Sequence, residues 1–164
     1  MFTKEDYKVY FEEIAMTELM MICRAQEIIS SIKDPSVVNP LKGIVDDEVR
    51  HYSAVIGMID KTVLKLQIDK GTIKRKYLLG DARLKSIVNN REFTAYCVNV
   101  LEKAVCVESK DALPENEEFE LWVDFYDGSK PIHIPRGSVK WSVKAGQISY
   151  IAGIRREAGH PKNT

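Results

Sequence analysis

Apolar residues in the first third of the chain recur at helical spacing. Phe11, Ile14, Met21, Ala25, Ile28 and Ile32 follow one another in steps built from threes and fours, and Glu18 fills the slot between Ile14 and Met21. Leu41, Ile44, Val55 and Met58 keep the same rhythm further on, with Glu48 and His51 in the slots between them. This pattern predicts a first helix over about 4–33, N-capped by Thr3 with Asp6 as its capping-box partner. Asp34-Pro35-Ser36 should break it, because proline has no amide hydrogen and restricts the residue before it. A second helix should start between Pro35 and Pro40 and run to about residue 61. So short a connection makes the two helices antiparallel neighbours.

The rhythm then changes. Leu64, Leu66 and Ile68 alternate with polar residues, Asp69-Lys70-Gly71 is turn-like, and Lys74-Arg75-Lys76 is basic, so residues 62–80 are expected to be a connector with room for one added strand. Beyond Gly80 the period is two. Strands are expected over 83–88, 93–98, 104–107, 118–126, 132–141 (as one run or two) and 149–154. Asn89-Asn90 and Asp127-Gly128 supply tight turns, and 109–116 is a polar loop containing Pro114. About six short antiparallel strands imply a small barrel over 81–158, which removes exposed edges by closing. Residues 159–164 form a tail expected to be disordered. The fold class is therefore α+β: an N-terminal helical hairpin over 1–61, then a six-stranded antiparallel barrel.

Composition narrows the function. Hydrophobic residues make up 45% of the 164, enough for a real core, and the formal net charge is zero. No broad attraction to nucleic acid or to an anionic membrane follows from such a balance. No apolar run approaches the roughly 20 residues that span a bilayer. The first residues are charged and lack an apolar signal core. Cys23, Cys97 and Cys106 are odd in number and have no metal-type spacing, as expected of buried thiols in a cytoplasmic protein.

The chemistry lies in the helices. A carboxylate in an apolar seam is costly unless it is partnered. Glu18 lies 15 residues before Lys33, and His51 lies 13 after Val38, so at about 1.5 Å per residue they fall within one turn of the same level. Glu48 and His51, three apart, share a face. Two carboxylates and an imidazole facing a common layer are satisfied by a bound cation. The segment from Glu18 through Asp34-Pro35 to Glu48-Val49-Arg50-His51 resembles one half of a ferritin-like or rubrerythrin-like bundle. Such halves carry a Glu on the first helix and Glu-x-x-His on the second, and a complete di-iron site needs two sets. The resemblance implies a homodimer, with two hairpins making a four-helix bundle and a di-iron site across it. Iron or manganese suits these ligands, with zinc as a further candidate. The competing reading is a plain dimerising hairpin. In it Asp46-Asp47-Glu48 is a solvated face and Glu18 is paired with Arg24 or Arg50.

The strand region, from Tyr96-Cys97-Val98-Asn99 through Gly137-Ser138-Val139-Lys140-Trp141 to Tyr150-Ile151-Ala152-Gly153-Ile154, resembles a PilZ domain, a family of cyclic di-GMP receptors. That family binds its ligand with an Arg-x-x-x-Arg stretch and an Asp/Asn-x-Ser-x-x-Gly turn. Arg75 and Asn99 match one position of each, but Leu79 replaces the second Arg, Leu101 the Ser and Ala104 the Gly. Losing the paired guanidiniums and the serine hydroxyl weighs against cyclic di-GMP. His133, between Ile132 and Ile134, is expected to be a surface strand residue, and Trp122 and Trp141 barrel aromatics. Three functions follow in order: a metal- or oxygen-sensing regulator signalling to a partner protein, a PilZ-type binding module dimerised by the hairpin, and a small di-iron oxidase or peroxidase.

Overall fold

A computed structural model of the chain describes residues 3–67, 78–145 and 149–156. It divides into two compact units, one built on the helices and the other on the strands.

Helix α1 spans Lys4–Ile29. The Thr3 hydroxyl accepts from the Asp6 amide, and the Asp6 carboxylate accepts from the Thr3 amide at 2.7 Å, so the expected capping box is formed. The helix ends four residues earlier than the pattern predicted. Ser30 and Ser31 both turn their hydroxyls onto the Glu27 carbonyl at 2.9 Å, a local bond that competes with continuing the helix. Helix α2 spans Pro35–Gln67. Asp34 starts it: its carboxylate accepts from the Ser36 amide at 2.9 Å, and Pro35 occupies a position whose amide would have no helical partner. Pro40 is accommodated in the second turn, and the helix continues six residues past its expected end. The Leu64-Lys65-Leu66 alternation therefore belongs to helix, not to a strand. Five residues of period two are too few to outweigh a run without Gly or Pro.

The helices pack on each other through a seam that the sequence pattern placed one residue away. Among the described side chains, the buried residues of α1 are Ala15, Leu19, Ile22, Cys23 and Ala25, together with Glu12. Among the described side chains, those of α2 are Val45, Tyr52, Val55 and Ile59. Met21, Ile28, Ile32, Ile44 and Met58, expected in the seam, are exposed. Both helices carry more than one apolar stripe. The hairpin closes on the stripe with the small residues Ala15, Cys23 and Ala25, which let the backbones approach, and leaves the other open.

The second unit is a closed barrel of antiparallel strands, as the alternation predicted. The strands are β1 (Gly80–Ser86), β2 (Glu92–Val100), β3 (Ala104–Ser109), β4 (Glu118–Phe125), β5 (Ile132–Ala145) and β6 (Ser149–Arg156). They close in the order β1-β2-β3-β6-β5-β4. Asn90, at φ 59°, and Gly128, at φ 78°, take the left-handed turn positions that the Asn-Asn and Asp-Gly pairs suit. Phe93, Ala95 and Cys97 point inward, as their alternation requires, beside Leu121, Val123 and Ile154. Phe93 and Phe119 meet edge to face at 5.6 Å between centroids. Pro135 and Gly137 lie in one continuous β5, where the pairing with β4 slips between Phe119 and Leu121. A bulge there absorbs the proline's missing donor. At Gly153 any Cβ would coincide with the Trp141 indole, so this ring fixes the residue as glycine.

Candidate metal centre

Glu18 is carried by α1, and Glu48 and His51 by α2 one turn apart. The antiparallel hairpin brings them to one level, as the rise arithmetic required. His51 Nδ1 lies 3.4 Å from Glu48 Oε2 and 3.9 Å from Glu18 Oε1. One ligand atom from each of the three residues falls within 4.8 Å of the other two.

The three sit on the edge of the helix–helix seam. The Glu18 and Glu48 side chains are 16% and 13% exposed, whereas the His51 side chain is 62% exposed. The carboxylates are thus largely withdrawn from water and the imidazole closes the site from outside. Burial first, then a hydrogen bond to Glu48 and repulsion from its charge, push the Glu18 carboxyl up to about 7, while His51 opposes the shift. A carboxylic acid so displaced shares its proton with its neighbour in place of a countercharge. Arg50 does not serve as that countercharge: its guanidinium pairs with Asp47 on the same helix.

The donor set is two carboxylates and one imidazole. Hard oxygens with one borderline nitrogen fit iron(II), manganese(II) or zinc(II), and do not select for soft thiophilic ions. Glu18, Glu48 and His51 would hold the ion. Beside them, Tyr10, Glu13, Ile14, Thr17 and Glu18 line an open groove of about 340 Å³ along α1.

Sequence reasoning missed a third acidic group withdrawn from water in the hairpin. Glu12 is 4% exposed, and neither carboxylate oxygen has a hydrogen-bond partner among the described residues. Its signal was its position, three before Ala15 and seven before Leu19, on the stripe that α1 buries.

The barrel residues named for nucleotide binding are not brought together among the described residues. Arg75 lies outside them. Asn99 sits where the β2–β3 pairing shifts register, and Ala104, in place of the glycine, is fully buried at the start of β3. The Leu101 amide closes that turn by donating to the Ala104 carbonyl at 2.8 Å. On the outer wall, Arg83, Trp122 and His133 are cross-strand neighbours. His133 stacks on Trp122 at 5.3 Å, and its Nε2 meets Glu120 Oε1 at 2.7 Å. Arg83 lies over the same indole at 5.9 Å. His133 is therefore an exposed strand residue with a packing role, as its alternation suggested. Tyr126, another residue the sequence did not single out, donates to Asp81 Oδ1 at 2.6 Å. Burial and that bond raise its phenol above the usual range.

Comparison of the chain with protein-family models and with curated proteins gives no match. Among the described residues no helix is long and apolar enough to cross a membrane.

Proposed function

We propose that the protein is a metal-binding regulatory protein. In this reading a hairpin related to half of a ferritin-like bundle pairs with a second copy, and a PilZ-like barrel passes its state to a partner. The observation that carries the proposal is the convergence of Glu18, Glu48 and His51, whose donor atoms lie within 4.8 Å of one another. A seam polar with no ligand would be expected to find a protein countercharge, and among the described residues the ionisable groups acting on Glu18 are a second carboxylate and an imidazole. Iron or manganese, in a two-ion centre completed by the second copy, is the expected cofactor.

The bound ion would supply Lewis acidity and, for iron, redox chemistry. The chain's own contribution is to bring two carboxyl groups together in a largely dry setting and to place the imidazole at the solvent side. Metal analysis of protein purified without chelator tests this directly. Iron or manganese near one ion per chain is expected, and protein that neither retains nor takes up either metal overturns the reading.

A second reading is a PilZ-type module, with the hairpin serving only to dimerise it. The closed six-stranded barrel supports it, as does Asn99 at the irregular end of β2. Titration with cyclic di-GMP separates the two. Saturable binding lost in Asn99→Ala would favour this module over the metal reading.

A further inference from the structure

The open stripe of the hairpin has a regularity of its own. On α1 it runs Ile14, Glu18, Met21, Ile28; on α2 it runs Ile44, Glu48, His51, Met58. Both helices therefore carry the same steps of four, three and seven, the spacing of a seam that packs against further helices. Met21, Ile28, Ile44 and Met58 are 42%, 43%, 43% and 46% exposed, far more than residues at such spacing show once covered. The covering partner must offer helices of the same rhythm and must accommodate a carboxylate pair, together with any ion it binds, at the centre of the contact. A second copy of this hairpin meets both demands, because a two-fold axis sets each stripe against its own twin.

That pairing has an electrostatic consequence. Glu18 and Glu48 lie in the middle of the stripe, not at its rim. Joining two stripes brings four carboxyl groups into one water-poor layer, where the charges they carry once ionised repel more strongly than at a surface. The Met and Ile side chains favour the contact and the carboxylates oppose it. Resting on the metal reading above, we infer that cation binding and self-association are coupled at Glu18, Glu48 and His51. The ion neutralises the layer, and the chain dimerises tightly only when loaded. Coupling of this kind is reciprocal, so dimerisation must raise metal affinity by the factor by which metal tightens the dimer. The hairpin then reports metal occupancy as a change of oligomeric state, an output the rest of the chain can transmit without any change in its own fold.

The test uses the full chain, stripped with chelator and dialysed, in sedimentation experiments over a range of protein concentrations with and without Mn(II). Metal per chain is measured in the same samples. The dimer dissociation constant is expected to fall on the order of 10- to 100-fold on adding Mn(II). A constant that does not move while Mn(II) is bound overturns the inference and leaves the metal site standing. A chain that stays monomeric with Mn(II) bound does the same and assigns the stripe to a different protein. No bound Mn(II) overturns the metal reading itself. The double variant Glu18→Gln/Glu48→Gln keeps the shape and removes the charge. It should dimerise without metal as tightly as the loaded wild type and ignore Mn(II). Association as weak as that of the stripped wild type would overturn the inference.

Discussion

At the scale of single residues, Glu18 decides most of the behaviour. Its folded carboxyl holds a proton up to about pH 7, whereas an unperturbed glutamate releases it near 4.5. Between those values the folded chain binds more protons than the unfolded one, so the metal-free protein should lose stability as pH rises through that window. Thermal midpoints of stripped protein measured from pH 5 to 8 should fall, and Glu18→Gln should flatten the curve. Glu18→Leu should raise the metal-free midpoint, by about 2–4 °C for each kcal/mol recovered, because a carboxyl is removed from a mostly buried position. A marked drop would mean that Glu18 is paired inside the protein. Glu48→Ala should abolish metal uptake, read by elemental analysis, yet leave a folded chain by circular dichroism. Stoichiometric metal in that variant would refute its role as a ligand. The residue identities of this site were legible because Glu and His interrupt a run that otherwise calls for Leu or Ile. Their degree of burial was not, since it depends on which stripe the hairpin closes.

Among the secondary-structure elements, period alone separated helix from strand, and turn chemistry located the breaks. It failed at the end of α2, where a short alternation proved to be helical, and at the end of α1, where two serine hydroxyls stop the helix early. Glycine marks the contrast between the two kinds of element. Gly43 has nothing within 4 Å of the place a Cβ would occupy, so Gly43→Ala should stabilise α2 by about 1 kcal/mol through helix propensity. Gly153→Ala drives a methyl into the Trp141 indole and should destabilise the barrel by at least ~1–3 kcal/mol. Denaturant titrations followed by far-ultraviolet circular dichroism and by tryptophan fluorescence distinguish the two. A neutral Gly153→Ala would show that Trp141 can move aside.

For the whole molecule, the open stripe makes self-association the decisive property. Ile44→Arg places a charge on that stripe at a position already exposed in the single chain. It should leave circular dichroism unchanged and shift the metal-loaded protein to monomer in sedimentation, and a dimer of unchanged strength would place the contact elsewhere. The sequence by itself determined that a helical hairpin precedes a six-stranded antiparallel barrel. Helical and strand periods, caps and turn residues are local signals, and each acts within a few positions of itself. It also determined that Glu18, Glu48 and His51 share a level, because rise per residue and one short connection fix that arithmetic. Only the tertiary structure decided that the hairpin closes on Ala15, Leu19, Ile22 and Val45, leaving Met21, Ile28, Ile44 and Met58 outside. Where a helix is apolar on more than one side, the choice of buried side rests on how closely two backbones can approach. That fit between side-chain volumes on separate helices is not written in either helix alone.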